Sequence, residues 1–253
     1  QCPFFRARAD LEGADVIVAN HDLLLADLAL GGGAVLPEPE ECIYILDEAH
    51  HIDDKTQNHF SSNARVNGTL QWLETVNTTL GSLTQRFARP GNLVAVTTNV
   101  AAETDVLGTH LAAVSEALNL LEFERKDEDR DIYRFPMGDV PKTLADLCMA
   151  VLPSLNQLCS ALEQVHDLLQ DALSGNLDWQ NGYEAEDWLL PIGQLQNRAL
   201  ATHTLFEDFA LGSARQRRHA RWVNRNMYDT ELVSAPIEPG HILEEVLWSR
   251  CYG

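Results

Sequence analysis

At residues 43–50 the chain contains Ile43-Tyr44-Ile45-Leu46-Asp47-Glu48-Ala49-His50, four apolar residues followed by two carboxylates, a small residue and a histidine. The apolar run predicts a strand that is buried on both faces of a parallel sheet. Ligands gather at the carboxyl ends of such strands, so a site is expected at Asp47 and Glu48. Two adjacent carboxylates at that place can hold Mg²⁺ and orient an attacking water, the two tasks that phosphoryl transfer requires.

The residues before this stretch predict more of the same sheet. A second buried strand is expected at 14–20, and a helix from Asp22 to Leu30 separates the two strands. A strand, helix, strand crossover normally returns a parallel strand, so the first 54 residues predict part of a parallel sheet. The triple glycine Gly31–Gly33 is followed by no lysine and is best explained as a flexible turn.

From about residue 55 to 212 the apolar residues recur at steps of three and four, which predicts long amphipathic helices. Four such helices are expected, enough to form one bundle core. Three of their apolar stripes are Leu70, Leu73, Val76, Leu80, Leu83 and Phe87; Leu144, Leu147, Val151, Leu155, Leu158, Leu162, Val165, Leu169 and Leu173; and Ile192, Leu195, Ala199, Thr202, Phe206 and Phe209. After Arg225 a strand at Leu232-Val233 and a helix from Gly240 to Trp248 are expected to rejoin the sheet.

Composition indicates a cytoplasmic protein without a membrane segment. The chain has 45% hydrophobic residues, and it contains neither an apolar run of the roughly 18 residues that a span requires nor a signal pattern. Its five cysteines form no C-x-x-C pair, which favours reduced thiols over a disulfide framework. The formal net charge of -20 disfavours nucleic-acid binding by the body of the protein.

One basic cluster is the exception to this acidic character. Five of the 18 lysines and arginines fall within eleven positions, with Trp222 among them; they are Arg215, Arg217, Arg218, Arg221 and Arg225. Either the cluster is a solvated stretch that leads back to the sheet, the favoured interpretation, or it contacts DNA phosphates.

The order of the motifs resembles that of a known family. Cys2-Pro3-Phe4-Phe5 comes first, Val16-Ile17-Val18-Ala19-Asn20-His21 follows, and Asp47-Glu48-Ala49-His50 comes third. This order is similar to that of the DinG group of bacterial, iron–sulfur, XPD-like DNA helicases of superfamily 2, in which a DEAH-form Walker B motif precedes a helical insertion called the Arch. The segments Glu231–Ile237 and Leu247-Trp248 resemble the return of the chain to the first motor domain.

The resemblance implies an α/β, RecA-like motor domain with a parallel sheet and a large inserted all-α Arch. Residues 1–12 would end the iron–sulfur segment, 13–54 would belong to motor domain 1 with the DEAH box, 55–218 would form the Arch, and 219–253 would return to motor domain 1. Asp47 would bind Mg²⁺, Glu48 would hold the attacking water, His50 would link the ATP site to the motor, and Cys2 would be the last of four cluster ligands.

The same resemblance implies ATP, Mg²⁺ and an iron–sulfur cluster as cofactors of the full-length protein, and single-stranded DNA as the partner of a 5′-3′ helicase in repair or replication. The phosphate-binding loop G-x-x-x-x-G-K-[ST] is missing from the sequence, as are the other three cluster cysteines. The chain is therefore expected to be an internal fragment that is inactive by itself.

Two other interpretations remain open. The helical stripes and the net charge also fit a protein–protein interaction module with no catalysis or DNA binding of its own. A metallohydrolase could be built from Asp47, Glu48 and His50 together with His51, Asp53 and Asp54, since histidine and carboxylate suit divalent metals. This third interpretation is disfavoured because no second ligand cluster follows downstream.

Overall fold

The computed structural model describes residues 11–126, 130–212 and 219–252. The chain divides into two compact units, one formed by Gln1–Ser61 with Ala235–Gly253 and the other by Ser62–Ser234. The helices described are α1 (His21–Ala29), α2 (Ile52–His59), α3 (Val66–Arg86), α4 (Gly91–Asn119), α5 (Lys142–Leu173), α6 (Glu186–Leu211) and α7 (Pro239–Leu243), which continues into a π-helical turn at Glu244–Trp248. Short 3₁₀ turns lie at Leu11–Gly13, Pro39–Glu41, Ala49–His51, Pro136–Gly138 and Gly182–Ala185.

The larger unit is a helical bundle formed by α3 to α6, which confirms the four long amphipathic helices predicted from the sequence. Its core is an apolar cluster to which all four helices contribute. The stripe on α5 is the clearest example, because Leu155, Leu158, Leu162 and Val165 have no exposed surface. Burying side chains of this size contributes about 1.5–3 kcal/mol each, so this stripe is a main source of the stability of the unit.

Helix α5 is also the one helix in the described part of the chain that is long and apolar enough, by length and composition, to cross a membrane. The apolar side chains of α5 face the bundle core, as a central helix of a folded domain requires.

The larger unit also contains a five-stranded sheet. Its strands are β1 (Ser62–Arg65), β2 (Glu124–Arg125), β3 (Asp131–Arg134), β4 (His219–Arg225) and β5 (Thr230–Pro236), in the order β1-β5-β4-β3-β2. The β1–β5, β2–β3 and β3–β4 pairs are antiparallel. Strands β4 and β5 follow each other along the chain, and Asn226 donates its backbone N–H to the carbonyl of Asp229 across their turn.

The predicted parallel, RecA-like sheet is therefore wrong for this structure. Residues 14–20 and 42–46 are extended in part but belong to no strand, and Val16, Val18, Ile43 and Ile45 are 81%, 95%, 81% and 92% exposed. A buried strand needs hydrogen-bonded neighbours and cover on both faces. In the part of the chain that the structure describes, neither segment pairs with another strand. The strand expected at Leu232-Val233 exists as β5, but it pairs antiparallel with β1.

In the smaller unit a buried carboxylate organises the loop after α1. Asp27 is 2% exposed, and its carboxylate accepts hydrogen bonds from the backbone N–H groups of Gly33 at 3.0 Å, Val35 at 2.5 Å and Leu36 at 3.3 Å. The three glycines of this loop have φ values of 103°, 80° and 84°, a left-handed region that glycine adopts without steric cost. Gly31, Gly32 and Gly33 thus allow the chain to turn after α1, as predicted from the sequence.

Candidate functional site

The DEAH residues lie on a sharp turn that leads into α2. Glu48 has φ 51° and ψ 41°, the left-handed region that is uncommon for residues other than glycine. The turn is closed by two hydrogen bonds: Asp47 Oδ1 accepts from the Glu48 N–H at 3.0 Å, and the Glu48 carbonyl accepts from the His51 N–H at 3.0 Å. Asp47 and Glu48 are both exposed, so the turn presents two neighbouring carboxylates to solvent.

His50 and His51 complete this arrangement. The Nδ1 atom of His50 lies 3.3 Å from Oε2 of Glu48, and the ring centroids of His50 and His51 are 3.9 Å apart. One ligand atom from each of Glu48, His50 and His51 lies within 4.8 Å of the others. The structure thus groups the side chain of His51 with those of Glu48 and His50. From the sequence, His51 is a candidate site residue only in the disfavoured metallohydrolase interpretation.

The donor chemistry of Asp47 fits Mg²⁺. This ion takes oxygen ligands and is usually bound by one or two carboxylates together with substrate phosphates and water. Asp47 offers an exposed carboxylate at the end of an extended segment. Residues that would cradle the β and γ phosphates of a nucleotide are absent from the sequence, since it lacks the G-x-x-x-x-G-K-[ST] loop.

Helix α2 fixes the position of this turn within the smaller unit. Ile52 at the start of α2 is 7% exposed and packs in a cluster with Leu25 and Leu243. Lys55 donates to both carboxylate oxygens of Asp22 on α1, at 2.7 and 2.8 Å, and this contact lowers the pKa of Asp22. Gln57 donates through Nε2 to the carbonyl of Pro236 at 3.0 Å. The start of α2 is thereby held by packing, and its later turns by polar contacts.

The predicted basic DNA-binding cluster is only partly described. Arg215, Arg217 and Arg218 lie outside the described residues, as does Cys2, the predicted cluster ligand. Arg225 is described: its guanidinium donates to Asp131 Oδ2 at 3.0 Å and lies 3.9 Å from the ring centroid of Phe123, with about a third of the side chain exposed.

Arg221 differs from Arg225 because it is buried. It is 4% exposed, and it donates through Nε and Nη2 to the two carboxylate oxygens of Asp208 and through Nη1 to the carbonyl of Gly138 at 2.8 Å. Burial alone would raise the pKa of Asp208, but hydrogen bonds from His219, Arg221 and Ser234 hold that pKa well below its ordinary value. Arg221 thus neutralises a buried carboxylate and offers no donor to a DNA phosphate in this structure.

Cys148 and Cys159 do not suit an iron–sulfur cluster. Cys148 is fully buried in the bundle core, and this burial raises the pKa of its thiol to about 12. Cys159 is half-buried on the same helix, and burial raises the pKa of its thiol too. A cluster needs about four thiolates converging on one point, and thiols in these surroundings resist deprotonation.

A protein-family model matches the part of the chain that contains this turn. Residues 1–68, which include the DEAH turn, match the model of the DEAD_2 family. This part of the chain is therefore similar to proteins of the DEAD_2 family.

Three relatives extend that match along the chain. The chain is 32% identical over its whole length to the "ATP-dependent DNA helicase DinG" of Photobacterium profundum, of which it covers 36%. It is 29% identical to the protein of that name from Escherichia coli (strain K12), with 65% of this chain and 23% of the relative aligned. The relative of the same name from Salmonella typhimurium is 31% identical over 58% of this chain and 20% of its own length. The chain belongs to the DinG-type helicase family, and it spans about a third of the length of the first of these relatives.

Proposed function

We propose that this chain is the DEAH-box and helical-insertion part of an ATP-dependent, cytoplasmic DNA helicase that moves 5′-3′ on single-stranded DNA during repair or replication. The observation that carries the proposal is the exposed turn with Asp47 and Glu48 side by side, which lies inside an alignment with a DinG helicase over the full chain. The intact protein would use ATP and Mg²⁺, and an iron–sulfur cluster with Cys2 as one ligand.

In this proposal the residues of the turn divide the work. Asp47 holds Mg²⁺, which when bound neutralises negative charge on the β and γ phosphates. Glu48, which is exposed beside Asp47, orients the attacking water. His50, 3.3 Å from Glu48, links the position of that carboxylate to the rest of the motor.

The two structural units fit the two parts of such a fragment. We assign the helical unit Ser62–Ser234 to the Arch insertion and the smaller unit, which carries the DEAH turn, to motor domain 1. DNA contact within the basic cluster is assigned to Arg215, Arg217, Arg218 and the partly exposed Arg225. Arg221 is left out, because it is buried with its guanidinium bound by Asp208, whereas Arg225 is partly exposed.

The test is ATP hydrolysis stimulated by single-stranded DNA. The parent polypeptide is compared with its Glu48→Gln variant and with the 253-residue chain alone. The proposal expects strong turnover by the parent, a loss of about 100-fold or more in Glu48→Gln, and no turnover by the chain alone. Turnover by Glu48→Gln equal to that of the parent would refute the assignment of the DEAH turn.

A second candidate function is favoured by the charge of the chain. A formal charge of -20 repels a polyanion at long range, so the helical unit can instead serve as a docking module for another protein. The two candidates differ in their response to salt, because phosphate contacts weaken steeply as salt rises. DNA binding that is absent at low salt would favour the protein-docking module.

A further inference from the structure

The cluster of Glu48, His50 and His51 has a donor set that Mg²⁺ does not prefer. Two imidazole nitrogens and one carboxylate are typical ligands of Zn²⁺, whereas Mg²⁺ selects oxygen ligands. The candidate ATP-hydrolysing site uses Asp47 for Mg²⁺ and makes no use of His51. His51 has no role in that site, yet it supplies the third ligand atom of the cluster.

The geometry of the cluster is close to that of a tetrahedral metal site. With Zn–ligand bonds of about 2.0–2.1 Å, neighbouring ligand atoms in a tetrahedron lie roughly 3.3 Å apart. Glu48 Oε2 and His50 Nδ1 already lie 3.3 Å apart. The ligand atom of His51 lies within 4.8 Å of both, a difference that a change in the torsion angles of an exposed side chain removes.

The backbone supports this convergence. The three residues lie within four positions of one another, on the left-handed residue Glu48 and the 3₁₀ turn Ala49–His51 that follows it. The His51 N–H donates to the Glu48 carbonyl at 3.0 Å, and this hydrogen bond holds the two residues close together. All three side chains are exposed, so an ion can reach them from solvent without opening the fold.

We propose that Glu48, His50 and His51 form a binding site for Zn²⁺, with the fourth position taken by water. The ion would use Glu48 as a ligand, and a carboxylate bound to Zn²⁺ can no longer orient the attacking water. Resting on the proposed function, this predicts that Zn²⁺ inhibits ATP hydrolysis by the parent helicase while Mg²⁺ supports it. The site would therefore make the motor sensitive to the concentration of free Zn²⁺.

The test measures metal binding directly and needs no activity. The 253-residue chain is titrated with Co²⁺, whose visible absorption reports on its ligands, and the bound Co²⁺ is then displaced with Zn²⁺. The His51→Ala variant is compared with His59→Ala, which removes another exposed histidine from the end of α2. His50→Ala serves as a second ligand variant, and circular dichroism checks that each variant is folded.

The proposal expects one Co²⁺ per chain in the unsubstituted protein and in His59→Ala. His51→Ala and His50→Ala should each weaken metal binding at least about tenfold. Removing a residue that only hydrogen-bonds to a metal ligand already lowers metal affinity about 10–100-fold, and these variants remove a ligand itself. Equal affinity in His51→Ala and His59→Ala would overturn the proposal and point to cysteine thiols as the ligands. These results are independent of the Glu48→Gln assay, so the zinc site and the helicase assignment can fail separately.

Discussion

The Arg221 guanidinium donates two hydrogen bonds to the Asp208 carboxylate, from Nε to Oδ2 at 2.7 Å and from Nη2 to Oδ1 at 2.9 Å. Both side chains are 3% exposed, and the pair joins α6 to strand β4 inside the helical unit. Ser234 on β5 donates its hydroxyl to the same carboxylate at 2.5 Å. One buried aspartate thus ties the last long helix of the bundle to two neighbouring strands of the sheet.

Removing one member of this pair should destabilise the helical unit severely. Arg221→Ala leaves the Asp208 carboxylate buried without its cation, a loss that typically costs about 3–5 kcal/mol of unfolding free energy. Urea unfolding followed by circular dichroism measures it. The matched control is Arg225→Ala, whose side chain is partly exposed and whose ion pair and ring contact are expected to contribute only about 1–2 kcal/mol. Equal losses in the two variants would mean that the buried pair has no special role.

The same pair should make the stability of the helical unit depend on acid pH. The pKa of Asp208 is lowered in the folded state below the ordinary value of 3.8. Its contribution is therefore fully present above pH 3.8 and is lost as pH falls from there toward the lowered pKa. Measured from about pH 6 down to about pH 2.5, the stability gap between the wild type and Asp208→Asn should narrow below roughly pH 4. A gap that stays constant over this range would contradict the prediction.

Asp27 should stabilise the loop that follows α1. Asp27→Ala removes the acceptor of three backbone N–H groups, of Gly33, Val35 and Leu36, and each donor left without a partner costs about 1–3 kcal/mol where it is buried. Hydrogen exchange at residues 33–36 should rise in this variant. Asp22→Ala is the control, because its exposed ion pair with Lys55 is expected to contribute little. Unchanged exchange at 33–36 in Asp27→Ala would refute the role of the carboxylate.

DNA binding, if it uses the basic cluster, should depend on Arg217 and Arg218. Replacing both by alanine removes two cations, which should lower the slope of log affinity against log salt by about 1.4 for a single strand. Fluorescence anisotropy with a labelled oligonucleotide, repeated at several salt concentrations, measures this slope. Arg89→Ala is the control, an exposed arginine in the turn between α3 and α4. An identical slope in the double variant and the control would favour the protein-docking module.

The sequence predicted the bundle well because its signal is local. The spacing of Leu155, Leu158, Leu162 and Val165 defines one face of a helix, and that face is fully buried in the structure. The prediction of a strand at residues 42–47 failed because strand pairing is not local. An apolar run such as Ile43–Leu46 forms a strand only where neighbouring strands can pair with it, and the described residues supply none.

The position of the candidate site residues follows from local sequence in the same way. Asp47, Glu48 and His50 are adjacent in the sequence, so the motif itself shows that they lie together. The burial of Arg221 was missed because its partner Asp208 is thirteen residues away. A weak signal existed: Arg221 and Val223 alternate on one face of β4, and both are buried. Arginine is rarely fully buried without a partner, so the alternation alone does not identify its role.

The left-handed backbone of Glu48 lowers the stability of the turn, while the Glu48 side chain supplies the carboxylate of the proposed site. A glycine would adopt φ 51° without the steric cost of about 1–2 kcal/mol that a side chain incurs there. The easiest residue for the fold at this position is thus one with no carboxylate at all. A turn chosen for folding alone would carry glycine, and it would neither orient a water nor bind a metal ion. Under the role proposed for Glu48, Glu48→Gly should yield a helicase that is harder to unfold but no longer hydrolyses ATP, so that stability and activity are opposed at a single residue.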